Sequence, residues 1–215
     1  KEAKIPPFIR TIAPYAFEEC KQLDFIDLSN LKIDILNKKT FSKSSIKSIT
    51  IPARIKIIAE SCFEECDQLT SVKFEMNSKL TLIDFNAFYR TPILSIIIPS
   101  HVNEIGIAAF CKCKKLKKLI FEENSELSKI GDECFQKLKI KSLSIPPNVD
   151  DIQSSVFESC NELKIVEINE NSRLKKINRF TFETYLSTIF LMIPSNLRDI
   201  LIIEDDKDLF DLDFF

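Results

Sequence analysis

The chain has 215 residues, 45% apolar and 29% charged, with a formal net charge of −2; that supplies a continuous core and the ordinary balance of a soluble protein. Two glycines, Gly106 and Gly131, leave no Gly-rich phosphate loop, and one histidine, His101, rules out a multi-histidine metal site and leaves triad chemistry a single base. No run approaches the roughly 18 apolar residues that cross a bilayer, and Lys1 to Ile9 lacks a signal-peptide apolar region, so the chain is expected to be cytosolic, mature or cut from a longer one.

In chain order, the phenylalanines set a period. Phe17, Phe41, Phe63, Phe88, Phe110, Phe135, Phe157 and Phe182 follow one another at spacings of 24, 22, 25, 22, 25, 22 and 25. Each has an aliphatic residue eight places before it, from Ile9 to Leu174, and another five places before it, from Ile12 to Ile177. Such a register predicts about eight stacked coils of 22–25 residues. Two coil types alternate. One begins Ile-Pro, at Ile51-Pro52, Ile98-Pro99 and Ile145-Pro146; the other begins Asn-Ser, at Asn77-Ser78, Asn124-Ser125 and Asn171-Ser172. Like coils therefore recur every 47 residues, as Phe63, Phe110 and Phe157 show.

After each Phe comes a short strand pattern. Leu69-x-x-Val72-x-Phe74, Leu116-x-x-Leu119-x-Phe121 and Leu163-x-x-Val166-x-Ile168 alternate with Ile93-x-x-Ile96-x-Ile98 and Ile140-x-x-Leu143-x-Ile145. Period-2 alternation turns the named residues inward, and the following Pro ends the strand because it has no N–H to donate. The expected fold is an α/β repeat solenoid: a right-handed leucine-rich-repeat horseshoe with a parallel sheet on its concave face. A lone coil cannot bury its apolar face, so neighbours must complete the core. The solenoid is expected over residues 1–203. Residues 204–215 break register as an acidic tail with interleaved Phe, either a cap over the open core or disordered.

Ile98 through Phe121 matches the pattern I-P-x-x-V-x-x-I-G-x-x-A-F-x-x-C-x-x-L-x-x-L-x-F almost completely. It resembles the BspA-like (treponemal) class of leucine-rich repeat, from about Ile5 to Ile202. That resemblance implies a repeat protein of bacterial or protist surfaces, associated with adhesion and host or matrix contact, with no catalytic residues and no cofactor to carry over. A cell-surface or secreted interaction module is the expectation; an intracellular scaffold on a protein partner is the alternative.

Seven cysteines raise the question of bridges or metal. Cys20, Cys66, Cys113 and Cys160 share one repeat position in alternate coils. Two coils lie roughly 9–10 Å apart, beyond the ~7 Å reach of a disulfide, so this ladder reads as small buried core residues. Cys62 and Cys134 precede their Phe in a slot that Ala87 and Ala109 fill elsewhere. Cys111 follows Phe110 and is expected to face outward as a reactive thiol; no second ligand pair accompanies Cys111-x-Cys113 for a metal. His101 reads as an exposed turn residue.

Outward strand positions line the concave face: Phe25/Asp27, Ser48/Thr50, Ser71/Lys73, Ser95/Ile97, Lys118/Ile120, Ser142/Ser144 and Ile165/Glu167, with Phe190 or Met192 in the last coil. Most are small or polar, so adjacent Ile97 and Ile120 form an apolar spot suited to contact. Lys112, Lys114, Lys115, Lys117 and Lys118 fall in one coil, and Lys137, Lys139 and Lys141 in the next; stacking is expected to gather them into a basic patch for an acidic protein surface or a sulfated glycan. The patch is short and lacks stacking aromatics, which argues against nucleic acid.

Overall fold

The computed structural model describes residues 1–182, 190–194 and 201–203. Three hydrogen-bonded columns run along a stack of about eight turns, and the core lies between them. The first column is the expected parallel strand set, with full members Ser48–Ile51, Ser71–Phe74, Ser95–Ile98, Lys118–Phe121, Ser142–Ile145 and Ile165–Ile168. The second holds two-residue strands, Ile35–Leu36, Ile57–Ile58, Leu82–Ile83, Glu104–Ile105 and Lys129–Ile130, in one five-stranded parallel sheet. These carry the aliphatic residue five places before each Phe.

The Phe face is the third column, and it is not helical: the one helical element among the described residues is the 3-10 turn Arg179–Phe182. From Phe17 to Phe157, the residues two before and two after each Phe have positive φ, as in Lys39 (52°), Lys43 (57°), Ala108 (53°) and Lys112 (61°). Left-handed non-glycine residues cost roughly 1–2 kcal/mol each, and the stack offsets that by satisfying their amides. Lys39, Phe41 and Lys43 donate their N–H groups to the carbonyls of Glu60, Cys62 and Glu64 in the next coil, at 2.9, 2.8 and 2.7 Å. The residues between close turns on their own coil, Thr40 to Asn37 and Ser42 to Lys39, at 3.2 Å each. Alternate left- and right-handed residues thus point successive N–H groups at the next coil, and this ladder stands where a helix would otherwise pack.

Inside it the phenyl rings stack. Centroids from Phe17 to Phe110 are 5.1–5.4 Å apart with interplanar angles of 5–9°. Stacked rings and the aliphatic rows around them form one continuous core cluster from Ile12 to Phe182. Gly106 and Gly131 serve close approach: a Cβ would lie 2.7 Å from the Phe85 amide nitrogen at Gly106 and 2.4 Å from that of Ile107 at Gly131. The 204–215 tail lies outside the described residues.

The cysteine ladder has a more specific role than apolar filling. The thiols of Cys66, Cys113 and Cys160 donate to the carbonyls of Phe41, Phe88 and Phe135, one coil back, at 2.9, 3.0 and 3.0 Å. Ser44 and Thr91 hold the matching position in the intervening coils, and their hydroxyls meet Cys66 and Cys113 at 3.6 and 3.2 Å. Burial pushes these three thiols up to about 12. They are inert donors that satisfy buried carbonyls.

Candidate interaction surface

The first sheet presents the predicted concave residues in the predicted register. Ile97 pairs with Ile120, and Thr50 with Lys73; Ile165 and Glu167 pair with Ser142 and Ser144. Ile97 is 54% exposed while Ile120 is half-buried, so the apolar spot is real but uneven. A further exposed aliphatic residue on this coil escaped the sequence reading: Leu94, 53% exposed, just before its strand. Its counterparts are Asp24, Lys47, Thr70, Lys117, Lys141 and Lys164. The signal was present in the repeat alignment, one place outside the strand motif. Met192 is exposed near the far end, and His101 is an exposed turn residue as expected.

The lysines divide. Lys117, Lys118, Lys139 and Lys141 surround one hollow of about 430 Å³ with Glu162. Lys114, Lys137 and Lys139 line a second, of about 350 Å³. Lys139 joins the two and lies 3.8 Å from the Glu162 carboxylate. Lys115 is exposed but lines neither hollow. Lys112 turns away: its ammonium reaches the Tyr89 hydroxyl at 2.6 Å and sits 5.0 Å from that ring's centroid, which holds its pKa above the ordinary lysine value. Its left-handed backbone directs it to the preceding coil, so the eight lysines are not one patch.

Cys111 corrects an expectation. It is buried, 1% exposed, and its thiol donates to Gln136 Oε1 at 3.2 Å, while Gln136 Nε2 donates to Glu158 at 2.8 Å. Burial pushes it up to about 11, opposite to a reactive thiol. The cause is local: left-handed Ala108 and Lys112 break the alternation that would point a residue after Phe110 outward.

The parallel sheet of short strands, the repeated Phe column and the absence of long helices among the described residues define a leucine-rich-repeat β-solenoid. Six copies of the BspA type leucine rich repeat region match this chain over residues 1–117 and 81–202, and it belongs to that family. Among solved structures it is similar to the leucine-rich repeat protein of T. pallidum, at 20% identity and TM-score 0.58, covering 73% of this chain and 75% of that one. A leucine-rich repeat protein from Bacteroides ovatus ATCC 8483 is 22% identical at TM-score 0.50, with 89% and 65% covered. The pneumococcal vaccine antigen PcpA is 22% identical at TM-score 0.43, with 71% of this chain covered. The chain spans 52% of the PcpA structure and 65% of the Bacteroides one. These likenesses show the fold alone. No curated protein matches the chain in sequence.

Proposed function

We propose that the chain is a non-catalytic recognition module for a protein partner, presented at a cell surface or secreted, and that it binds through the concave sheet and its lysine flank. The observation that carries this reading is Ile97, 54% exposed and paired in register with half-buried Ile120, on a stretch of sheet from Ser48 to Glu167 whose other outward residues are mostly small, polar or charged. Solvent gains nothing from such a cluster, whereas a partner's apolar side chain would be desolvated against it. The neighbouring lysines add charge that steers an acidic partner. An intracellular scaffold would use the same surface. The free thiols do not favour it, because buried thiols held near pKa 12 are inert in either compartment.

Affinity capture with immobilised protein, from host matrix extract and from lysate, tests the reading. A protein retained by the parent and lost by the Leu94→Ser/Ile97→Asp double variant supports it; equal retention removes the concave face. Lys114→Glu with Lys139→Glu is expected to weaken that retention. Loss of heparin-column retention with unchanged protein capture would reassign the flank to a sulfated glycan. Antibody labelling of intact cells, against permeabilised ones, tests surface presentation.

A further inference from the structure

The residue just before each strand of the first sheet holds one repeat position along the stack, from Lys47 through Thr70, Leu94, Lys117 and Lys141 to Lys164. The backbone fixes this column. Lys47, Thr70, Leu94 and Lys117 each donate an N–H to the equivalent carbonyl one coil back, at 3.0–3.2 Å, and Lys164 donates to Lys141 at 2.9 Å. All six side chains are exposed. Serine follows on four of these coils, as Ser48, Ser71, Ser95 and Ser142, a side chain too short to shield the column from the concave side.

The column changes character along the stack. At its start Lys47 lies 3.0 Å from the Asp24 carboxylate one coil back, so its charge is met within the chain. Further on, Lys117, Lys141 and Lys164 follow Leu94, and none of the three forms an ion pair among the described residues. The column member one coil back is Leu94, Lys117 and Lys141 in turn, so no carboxylate stands where Asp24 stands for Lys47. The hollow that Lys117 and Lys141 share has a single carboxylate, Glu162, which lies 3.8 Å from the Lys139 ammonium. A chain of net charge −2 thus carries a row of unmatched positive charge, opened by an exposed leucine.

The spacing of that row selects its complement. Coils succeed one another at ~4.8 Å, so Leu94 and the three lysines span about 14 Å along the stack. A helix brings residues i, i+4, i+7 and i+11 to one face, and at about 5.4 Å per turn these four span about 16 Å. Four same-face residues of an extended chain span about 20 Å, a poorer match. We propose that this column binds an acidic helix of the partner protein, laid along the solenoid axis, with an apolar side chain on Leu94 and carboxylates over Lys117, Lys141 and Lys164. The proposal rests on the protein-partner reading above and names what that partner offers to the lysine flank. A sulfated chain would meet the lysines but has no group for Leu94.

The test is a heteronuclear NMR titration of the chain at low ionic strength. The probe is a capped peptide, Ala-Leu-Ala-Gln-Ala-Glu-Ala-Ala-Glu-Ala-Gln-Ala-Glu-Ala, stapled on its opposite face to hold the helix. Saturable shifts are expected at the amides of Leu94, Lys117, Lys141 and Lys164 and their neighbours. Replacing the peptide's leucine by alanine should weaken binding about threefold. Spreading the same three glutamates around the helix should weaken it about fivefold, as should Lys117→Gln/Lys141→Gln in the chain, while Lys32→Gln, several coils away, leaves it unchanged. Absent shifts, shifts centred elsewhere, equal binding of the redistributed peptide, or indifference to the paired lysine substitutions would each overturn the proposal. So would column shifts with a heparin oligosaccharide and none with the peptide. The protein-partner reading survives such a failure if Ile97→Asp alone still abolishes partner capture.

Discussion

The first half of the solenoid and the coil carrying Phe135 obey one repeat rule and pack differently. From Phe17 to Phe110 the rings stack within 5.4 Å and 9° of parallel. Across Phe135 the distances are 6.1 and 5.8 Å and the angles 25° and 21°. The spacings that flank Phe135, 25 and 22, are the same as those that flank Phe88. Coil length therefore does not cause the difference, and the side chains around the rings do differ. Where Ser44 and Thr91 put small hydroxyls beside the thiol of the next coil, the third member of the column is Leu138, buried and larger. Unlike Ser44 and Thr91, it has no hydroxyl to place beside the next thiol, Cys160. One side, Gly106 against Gly131, is pressed tight, while the next step carries no ladder in either sheet. A regular repeat can thus vary its packing locally by changing a few core residues, without any insertion.

The strongest way to break this comparison is to delete a ring on each side of it. Phe88→Ala should cost about 3–5 kcal/mol, because the tight stack cannot collapse into the cavity, and Phe135→Ala should fall nearer 3 kcal/mol. Urea denaturation of both variants checks this; equal losses would mean that the looser spacing has no energetic consequence. Next in size is Gly131→Ala, whose methyl has to displace the Ile107 backbone. A loss of about 1–3 kcal/mol is expected from such overpacking, whereas Ala59→Gly, at the same repeat position, should cost no more than about 1 kcal/mol.

Alkaline titration comes third. Cys66, Cys113 and Cys160 are raised from 9.0 to about 12 in the folded chain, so the folded state holds protons that the unfolded state has lost. Their contribution is complete below pH 9 and declines as pH rises through 9 towards 12. The melting temperature should fall across that window, and less so in a Cys113→Ala variant once its own starting stability is subtracted. The smallest effect is kinetic. Under native conditions at pH 8, iodoacetamide should label half-buried Cys20 first and Cys160, beside Leu138, before Cys113, as read by mass spectrometry. Labelling of Cys113 ahead of Cys160 would show that the Phe135 coil is no looser than the rest.

The sequence by itself determined the solenoid, its 47-residue double period and the inward rows, because these depend only on residue type at fixed spacing. It also determined which residues face the concave side, since strand alternation leaves two choices and the apolar row takes one. What only the tertiary structure decided depends on backbone handedness and on the fit between coils. Left-handed residues flanking each Phe turned Cys111 inward and sent Lys112 to Tyr89, and no composition rule marks them, since most are Lys, Glu, Ser or Ala. The thiol-to-carbonyl bonds needed the position of the preceding coil. The close approach of Gly131 to the Ile107 backbone likewise needed the stacked coils. Stacking of neighbouring coils is also what places Lys118 and Lys141 around one hollow with Glu162.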